Sequence, residues 1–250
     1  MNFADFLLKE LFEAYYKARV GGKRKTEDEH RFEINDIENM SVDEALPEIS
    51  RMLNNDSIYV IDMIGTELLL KAGEDEELKK CLQSMDMLWP REKAILTAAG
   101  IEDNRRMEEI EMNRFVRVCL EQAAFQEKTV FLLTDTVEDR NEFRAYLNEY
   151  YKDLRIEGDY VVENCWGDED IIVNAINIAS PNLILSSMSN PYQEQFIYAH
   201  KHKLNANAWL GLGGNMRPQH THKVKGNFWR KLFAKRILKK EVSKYEADKK

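Results

Sequence analysis

Short apolar runs alternate with longer helical patterns along most of this chain, and that alternation restricts its fold more than any other feature. The runs fall at 57–62, 86–89, 129–133, 154–162, 182–187 and 207–212, several of them rich in Ile, Val and Leu. Segments with helical periodicity lie at 41–53, 66–84, 104–126, 138–151, 169–179 and 191–203. Strands apolar on both faces, separated by crossover-length helices, argue for a mainly parallel sheet covered on both sides. The expected fold is therefore α/β and Rossmann-like. Ser41 with Glu44 three residues on marks a capping box at the first of these helices.

Composition agrees with one α/β domain carrying appendages. A hydrophobic content of 44% and a charged content of 32% describe a soluble globular chain. No apolar run approaches the roughly 18 residues that span a bilayer. The first twenty residues mix Asp5, Lys9, Glu10 and Glu13 with aromatics, so no signal-peptide core is expected. Cys81, Cys119 and Cys165 follow no pairing motif and read as reduced packing residues of a cytosolic protein. Charge is unevenly spread. Lys223, Lys225, Arg230, Lys231, Lys235, Arg236, Lys239 and Lys240 lie in a stretch without acids, so a net −8 overall leaves −16 on the remaining residues. We expect an N-terminal helix and charged linker over 1–30, the α/β domain over 31–222 and a basic amphipathic tail over 223–250.

Residues 181–194 read as a proline-started strand, a polar turn and a helix opened by Pro191. Asn190 stands where an N-cap belongs, Pro191 suits the first helical position, and Gln193 falls at the capping-box position. A strand whose carboxyl end runs into a helix N-terminus is where open α/β proteins place anionic ligands, because free N–H groups point there. Gln193 and Glu194 are thus either helix caps or site residues.

The block Pro181-Asn-Leu-Ile-Leu-Ser-Ser-Met-Ser-Asn-Pro-Tyr-Gln-Glu194 resembles a block of the WecG/TagA/CpsF family of bacterial glycosyltransferases. Pro181, Leu183, Ile184, Leu185, Pro191, Gln193 and Glu194 match it, whereas Asn182, Ser187, Ser189 and Tyr192 depart. The resemblance extends from residue 31 to about 215, through 32–45, Glu67, Leu69, Ala72, Asp75, Glu77, Leu78, Leu82, Asp86 and Pro90, the strand 130–133, and glycines 211, 213 and 214. It implies transfer of an N-acetylhexosamine-type sugar from a UDP donor to a lipid-linked acceptor in cell-envelope polysaccharide synthesis, with no metal or other cofactor. By the same resemblance Gln193, Glu194, Tyr192, Gly65, Thr134, Gly213 and Gly214 would line the substrate site.

The chemistry departs from that pattern. The family's base is an aspartate just after the Pro90-equivalent proline, where it would take the acceptor hydroxyl's proton. Arg91 stands there, and arginine is no base because its pKa lies above about 12. Glu92 and Asp86 are the remaining catalytic candidates, with Asp62 a further acid near the mouth. The family's Thr-x-Asn becomes Met63-Ile64-Gly65, its Arg-x-x-Gly becomes 109–112, and its Gly-Gly becomes Thr134-Asp135. Asp135 and Glu109 would repel a pyrophosphate. Eleven glycines in 250 residues, against the usual roughly 7%, agree with lost phosphate loops.

His200-x-His202 and His220-x-His222 could supply imidazoles to zinc, but the lysines around them suit a solvated basic surface, and we expect no metal. In the tail, Trp229, Phe233 and Ile237 form a stripe beside Phe228, Leu232 and Leu238, flanked by Arg230, Lys231, Lys235 and Arg236. That pattern suits a helix on anionic lipid, placing the protein peripherally at the cytoplasmic membrane face. A helix docked on its own core is the alternative; no nucleic-acid motif is present. Phe3, Leu7, Leu11 and Tyr15 mark an amphipathic helix suited to an oligomer or partner contact. Two functions follow: a transferase with an altered site, or a non-catalytic relative scaffolding an active partner transferase.

Overall fold

The structure, a computed structural model, describes residues 40–99 and 101–214; the helix and linker expected over 1–30, the opening strand expected after residue 31 and the basic tail expected over 223–250 lie outside them. The described elements run α1 (Val42–Met52), β1 (Tyr59–Ile64), α2 (Thr66–Glu74), α3 (Glu76–Gln83), β2 (Met87–Pro90), α4 (Lys93–Ala98), α5 (Asn104–Glu111) and α6 (Arg114–Phe125). They continue with β3 (Thr129–Thr134), α7 (Val137–Tyr150), β4 (Arg155–Val161), α8 (Glu169–Ala179), β5 (Leu183–Ser187), α9 (Tyr192–His200) and β6 (Ala208–Gly211). All six strands are parallel, in the order β2-β1-β6-β5-β3-β4. The last described strand therefore sits between β1 and β5.

Strand alternation sorts side chains onto two buried faces. Val60, Ile64, Leu88, Phe131, Leu133, Ile184 and Trp209 share one core with Leu68 and Leu69 of α2, Leu78 and Leu82 of α3, Ile172 and Ile176 of α8, and Phe196 and Ile197 of α9. On the other face Trp89 stacks on Phe115 of α6, ring centroids 3.9 Å apart, and α1 packs on α6. Helices thus cover both faces, as the alternation of runs predicts. Strands β1, β2 and β6 are buried at every position, whereas the edge strand β4 is partly exposed.

Local signals explain most helix ends. The Ser41–Glu44 capping box forms at α1. The segment 66–84, read as one helix, is two, because Asp75 adopts extended backbone and its carboxylate accepts from the Glu77 and Leu78 amides to start α3. The segment 104–126 likewise breaks at Asn113, whose left-handed φ of 48° ends α5 and begins α6; asparagine is among the few side chains that tolerate that region. Helix α4, a short element between β2 and α5, goes unread in the sequence. Cys81, Cys119 and Cys165 are free thiols in the core.

Helix α9 is the element that matters for the site. Phe196 lies against Trp209 of β6, centroids 6.0 Å apart, and both are buried. One turn earlier, on the same side of the helix, this packing aims Gln193 at the strand tips. Truncating such a ring costs about 3–5 kcal/mol, so the orientation of Gln193 is backed by core packing.

Candidate functional site

Across the carboxyl ends of three strands, Asp62 of β1, Gly211 of β6 and Ser186 of β5 are register partners in one row. Their side-chain positions face the core shared with α9. Gly211 is needed in the middle: a Cβ there would lie 2.6 Å from Gln193 Nε2. Gln193 fills that space and uses its whole amide. Its Nε2 donates to Asp62 Oδ1 at 2.7 Å and to Glu194 Oε1 at 3.2 Å, while its Oε1 accepts from Ser186 Oγ at 2.9 Å and from the Gly213 amide at 3.3 Å. Asn190 Nδ2 also donates to Glu194 Oε1. Asp62, Ser186, Gln193 and Glu194 are each at most 1% exposed.

This cluster replaces the capping role open to Gln193 and Asn190. The helix starts at Tyr192, Pro191 occupies the N-cap position without a side-chain cap, and the Asn190–Pro191 peptide is cis. Asn190 serves Glu194 instead. Burial raises the Glu194 carboxyl above its usual range; burial and then the adjacent Glu194 raise Asp62 well above its own, against the opposing pull of Arg91.

Nearer the surface, the end of β2 meets the turn after β6. Arg91 is about a fifth exposed, and its Nη1 donates to the Leu212 carbonyl at 3.2 Å. Its guanidinium passes so close to Gly65 and Gly213 that a Cβ at either would come within 3 Å of it. Gly213 also has a φ of 72°, where a side chain is strained. Glu92 is turned toward α2: its Oε2 accepts from the Thr66 amide at 3.2 Å and from Thr66 Oγ1 at 2.5 Å. Gly65, the N-cap of α2, has no side chain to do this, so Glu92 supplies the cap from the turn after β2. The other oxygen of Glu92 stands 3.7 Å from Arg91 Nε.

Residues 31–219 match the glycosyl transferase WecG/TagA/CpsF family. The chain belongs to the WecG/TagA/CpsF family of glycosyltransferases. It is 22% identical over 158 residues to the N-acetylglucosaminyldiphosphoundecaprenol N-acetyl-beta-D-mannosaminyltransferase of Bacillus subtilis (strain 168), an alignment covering 62% of this chain and 60% of that relative.

Against that family pattern, the structure brings Arg91, Gly65, Gly213, Gln193 and Glu194 together and separates others. Asp86 accepts from the Val60 amide at the amino edge of the sheet, on the far side of β2 and about 16 Å along the chain from Arg91. Thr134 is wholly buried at the end of β3, its Oγ1 donating to the Thr136 carbonyl at 3.3 Å. Asp135 accepts from the amide and hydroxyl of Ser189, which ties the β3 and β5 ends together. Glu109 is buried, accepting from the Val42 amide at 3.0 Å and from Arg114 at 3.1 Å, so it stabilises the start of α1. Tyr192, half-buried, has its hydroxyl pKa raised by burial and by Glu169. Gly214 borders Ser189.

His200 Nε2 pairs with Glu169 Oε2 at 2.6 Å, His220 and His222 lie outside the described residues, and among the described residues no group of His, Cys, Asp or Glu suits a metal. Sequence reading left Asp62 among several acids and passed over Ser186. The available signal was an aspartate inside an apolar run, Val60-Ile-Asp-Met-Ile64, because a carboxylate buried in a parallel strand needs a partner.

Proposed function

We propose that this chain binds a UDP-N-acetylhexosamine at the carboxyl ends of β1, β6 and β5, for sugar transfer to a lipid-linked acceptor in cell-envelope polysaccharide synthesis. Arg91 carries the proposal: a partly exposed guanidinium lies between two closely approaching glycine backbones at the edge where parallel sheets take ligands. Its planar fork suits a diphosphate. Gln193 and Glu194 support this edge from beneath, with Gln193 holding the Gly213 turn.

In the transfer, the acceptor hydroxyl oxygen bonds to the anomeric carbon as the bond to the UDP oxygen breaks, and the hydroxyl proton goes to a base. Glu92 is the carboxylate beside Arg91, but it also caps α2. A second reading is favoured by that double commitment and by the arginine at the base position: a non-catalytic relative that binds the donor or scaffolds an active partner transferase. Metal is not required in either reading.

Calorimetric titration with UDP and UDP-N-acetylhexosamines, with and without magnesium, tests the proposal. Micromolar binding independent of magnesium and lost in Arg91→Ala is expected; no binding at millimolar ligand refutes the donor site. Turnover with a lipid-linked acceptor then separates transferase from scaffold.

We also propose that residues 223–250, through Phe228, Trp229, Arg230, Lys231, Phe233, Lys235 and Arg236, hold the protein at the inner face of an anionic membrane. No described helix is long and apolar enough to cross a membrane. Deletion of 223–250 should abolish cosedimentation with anionic vesicles; unchanged pelleting overturns this attachment. Residues 1–20 are proposed as an oligomer or partner contact, tested by the mass of the full chain and of a chain lacking them.

A further inference from the structure

Beneath the donor edge, two carboxyls are buried with one oxygen each left over. Asp62 Oδ1 and Glu194 Oε1 take both hydrogens of the Gln193 amide, and Glu194 Oε1 takes one from Asn190 as well. Among the described residues no group donates to Asp62 Oδ2 or Glu194 Oε2, although both residues are at most 1% exposed. The two carboxyls converge on one nitrogen, with Asp62 Oδ1 at 2.7 Å and Glu194 Oε1 at 3.2 Å from Gln193 Nε2. Two ionised carboxylates buried on one amide nitrogen would repel each other, at a cost a single proton removes.

We infer that Asp62 and Glu194 share one proton between Oδ2 and Oε2, and that this proton is a lock which keeps the floor of the donor edge at a single negative charge and fixes Gln193. With the proton in place Asp62 acts as a neutral donor to the Glu194 carboxylate. Every polar atom of the cluster is then satisfied, from Ser186 to the Gly213 turn. Without it a second buried negative charge appears beneath the edge where Arg91 meets an anion, and the two carboxylates repel across the Gln193 amide. The titratable groups acting on the pair are Arg91 from the end of β2, which favours ionisation, and Cys81 from α3, whose thiol is raised by burial and by Glu194. Asp62 is a positioning residue in this arrangement, since Gln193 and Glu194 cover it completely.

The consequence for ligand affinity rests on the donor-site reading; the shared proton itself does not. The sign follows from linkage. Both carboxyls are raised in the folded state, so from about pH 4, where an unfolded aspartate titrates, up to the raised folded value the native chain holds one more proton than the unfolded one. Stability from this pair is complete at acid pH and declines by about tenfold in the folding constant per pH unit as pH rises through that window.

The experiment uses the full chain as wild type, Asp62→Asn and Glu194→Gln. Each amide can donate where the shared proton stood, and each variant carries the charge of the protonated pair. Infrared difference spectra at pH 6 should show the carbonyl band of a protonated, hydrogen-bonded carboxylic acid in the wild type, lost in both variants. Urea midpoints against pH should decline less steeply in the variants by one proton's worth of slope. UDP affinity should fall at alkaline pH in the wild type alone. A wild-type spectrum without the acid band, or a band that survives in both variants, overturns the shared proton. UDP binding that is absent throughout, with the band behaving as expected, refutes the donor site and leaves the proton lock standing. If Asp62→Asn fails to fold, Glu194→Gln carries the same comparison.

Discussion

A methyl group at residue 211 should disable the cluster that joins β1, β5 and β6 without removing any of its polar groups. In Gly211→Ala the added Cβ falls 2.6 Å from Gln193 Nε2 and 3.0 Å from Gln193 Cδ, and closer still to Asp62 Oδ1. Gln193 has nowhere to retreat, because Ser186 and the Gly213 amide hold its oxygen and Phe196 anchors its helix against Trp209. The methyl must therefore break the Gln193–Asp62 hydrogen bond. Overpacking a close-packed interior costs about 1–3 kcal/mol, and a buried group left unpaired costs about 1–3 kcal/mol more. We expect a loss of about 3 kcal/mol, or ~9 °C in midpoint for a chain of this size. Urea and thermal unfolding measure it, with Gln193→Ala and the double variant closing a cycle. If the collision with Gln193 is the cause, Gly211→Ala should be much less costly once Gln193 is truncated. A single-variant loss under about 0.5 kcal/mol, or full additivity in the cycle, refutes the reasoning.

Other perturbations probe separate parts of the fold. Ser41→Ala should cost about 1 kcal/mol near neutral pH by removing the α1 cap. Ser41 holds Glu44's carboxyl below its usual range, so that contribution is present above about pH 4 and fades as pH falls through the lowered folded value; an equal cost at pH 7 and at pH 3 would contradict this. Glu92→Ala should destabilise the chain by about 1 kcal/mol through loss of the α2 cap, read from the urea midpoint, and no change would show that Thr66 needs no partner. Asn113→Val should cost about 1–2 kcal/mol for its left-handed backbone, while Asn113→Gly should be nearly neutral; equal midpoints for the two would reject the strain.

Much of the fold can be read along the chain because parallel strands need both faces apolar and leave runs such as 130–133 and 183–185 plainly marked. The breaks within 66–84 and 104–126 are harder to see. Asp75 and Asn113 lie among good helix formers, and their capping and left-handed roles compete with helix continuation by only about 1 kcal/mol. Strand order is not legible, since nothing in 208–211 announces that β6 enters between β1 and β5. The site shares that difficulty. Gln193 and Glu194 stand out by spacing, but their partner Asp62 lies 131 positions away from Gln193 in sequence. Only the register of β1, β6 and β5 unites them. Arg91 and Glu92 are conspicuous as departures from the family's base, yet their use in tying Leu212 and Thr66 depends on where the chain ends its sheet.

The position of β6 has a consequence for synthesis. Strands β2 and β1 on one side and β5, β3 and β4 on the other have no ladder between them until residues 208–211 are inserted. A nascent chain lacking those residues would hold two part-sheets, each with an unpaired strand edge, and no seam across which Asp62, Ser186 and Gln193 could meet. The site is thus a signature of completed translation of the domain: a product interrupted before residue 208 has the helices and most of the strands but cannot assemble this edge. Such fragments carry exposed ladders on β1 and β5, which chaperones and proteases recognise, so the protein's own topology separates finished molecules from unfinished ones.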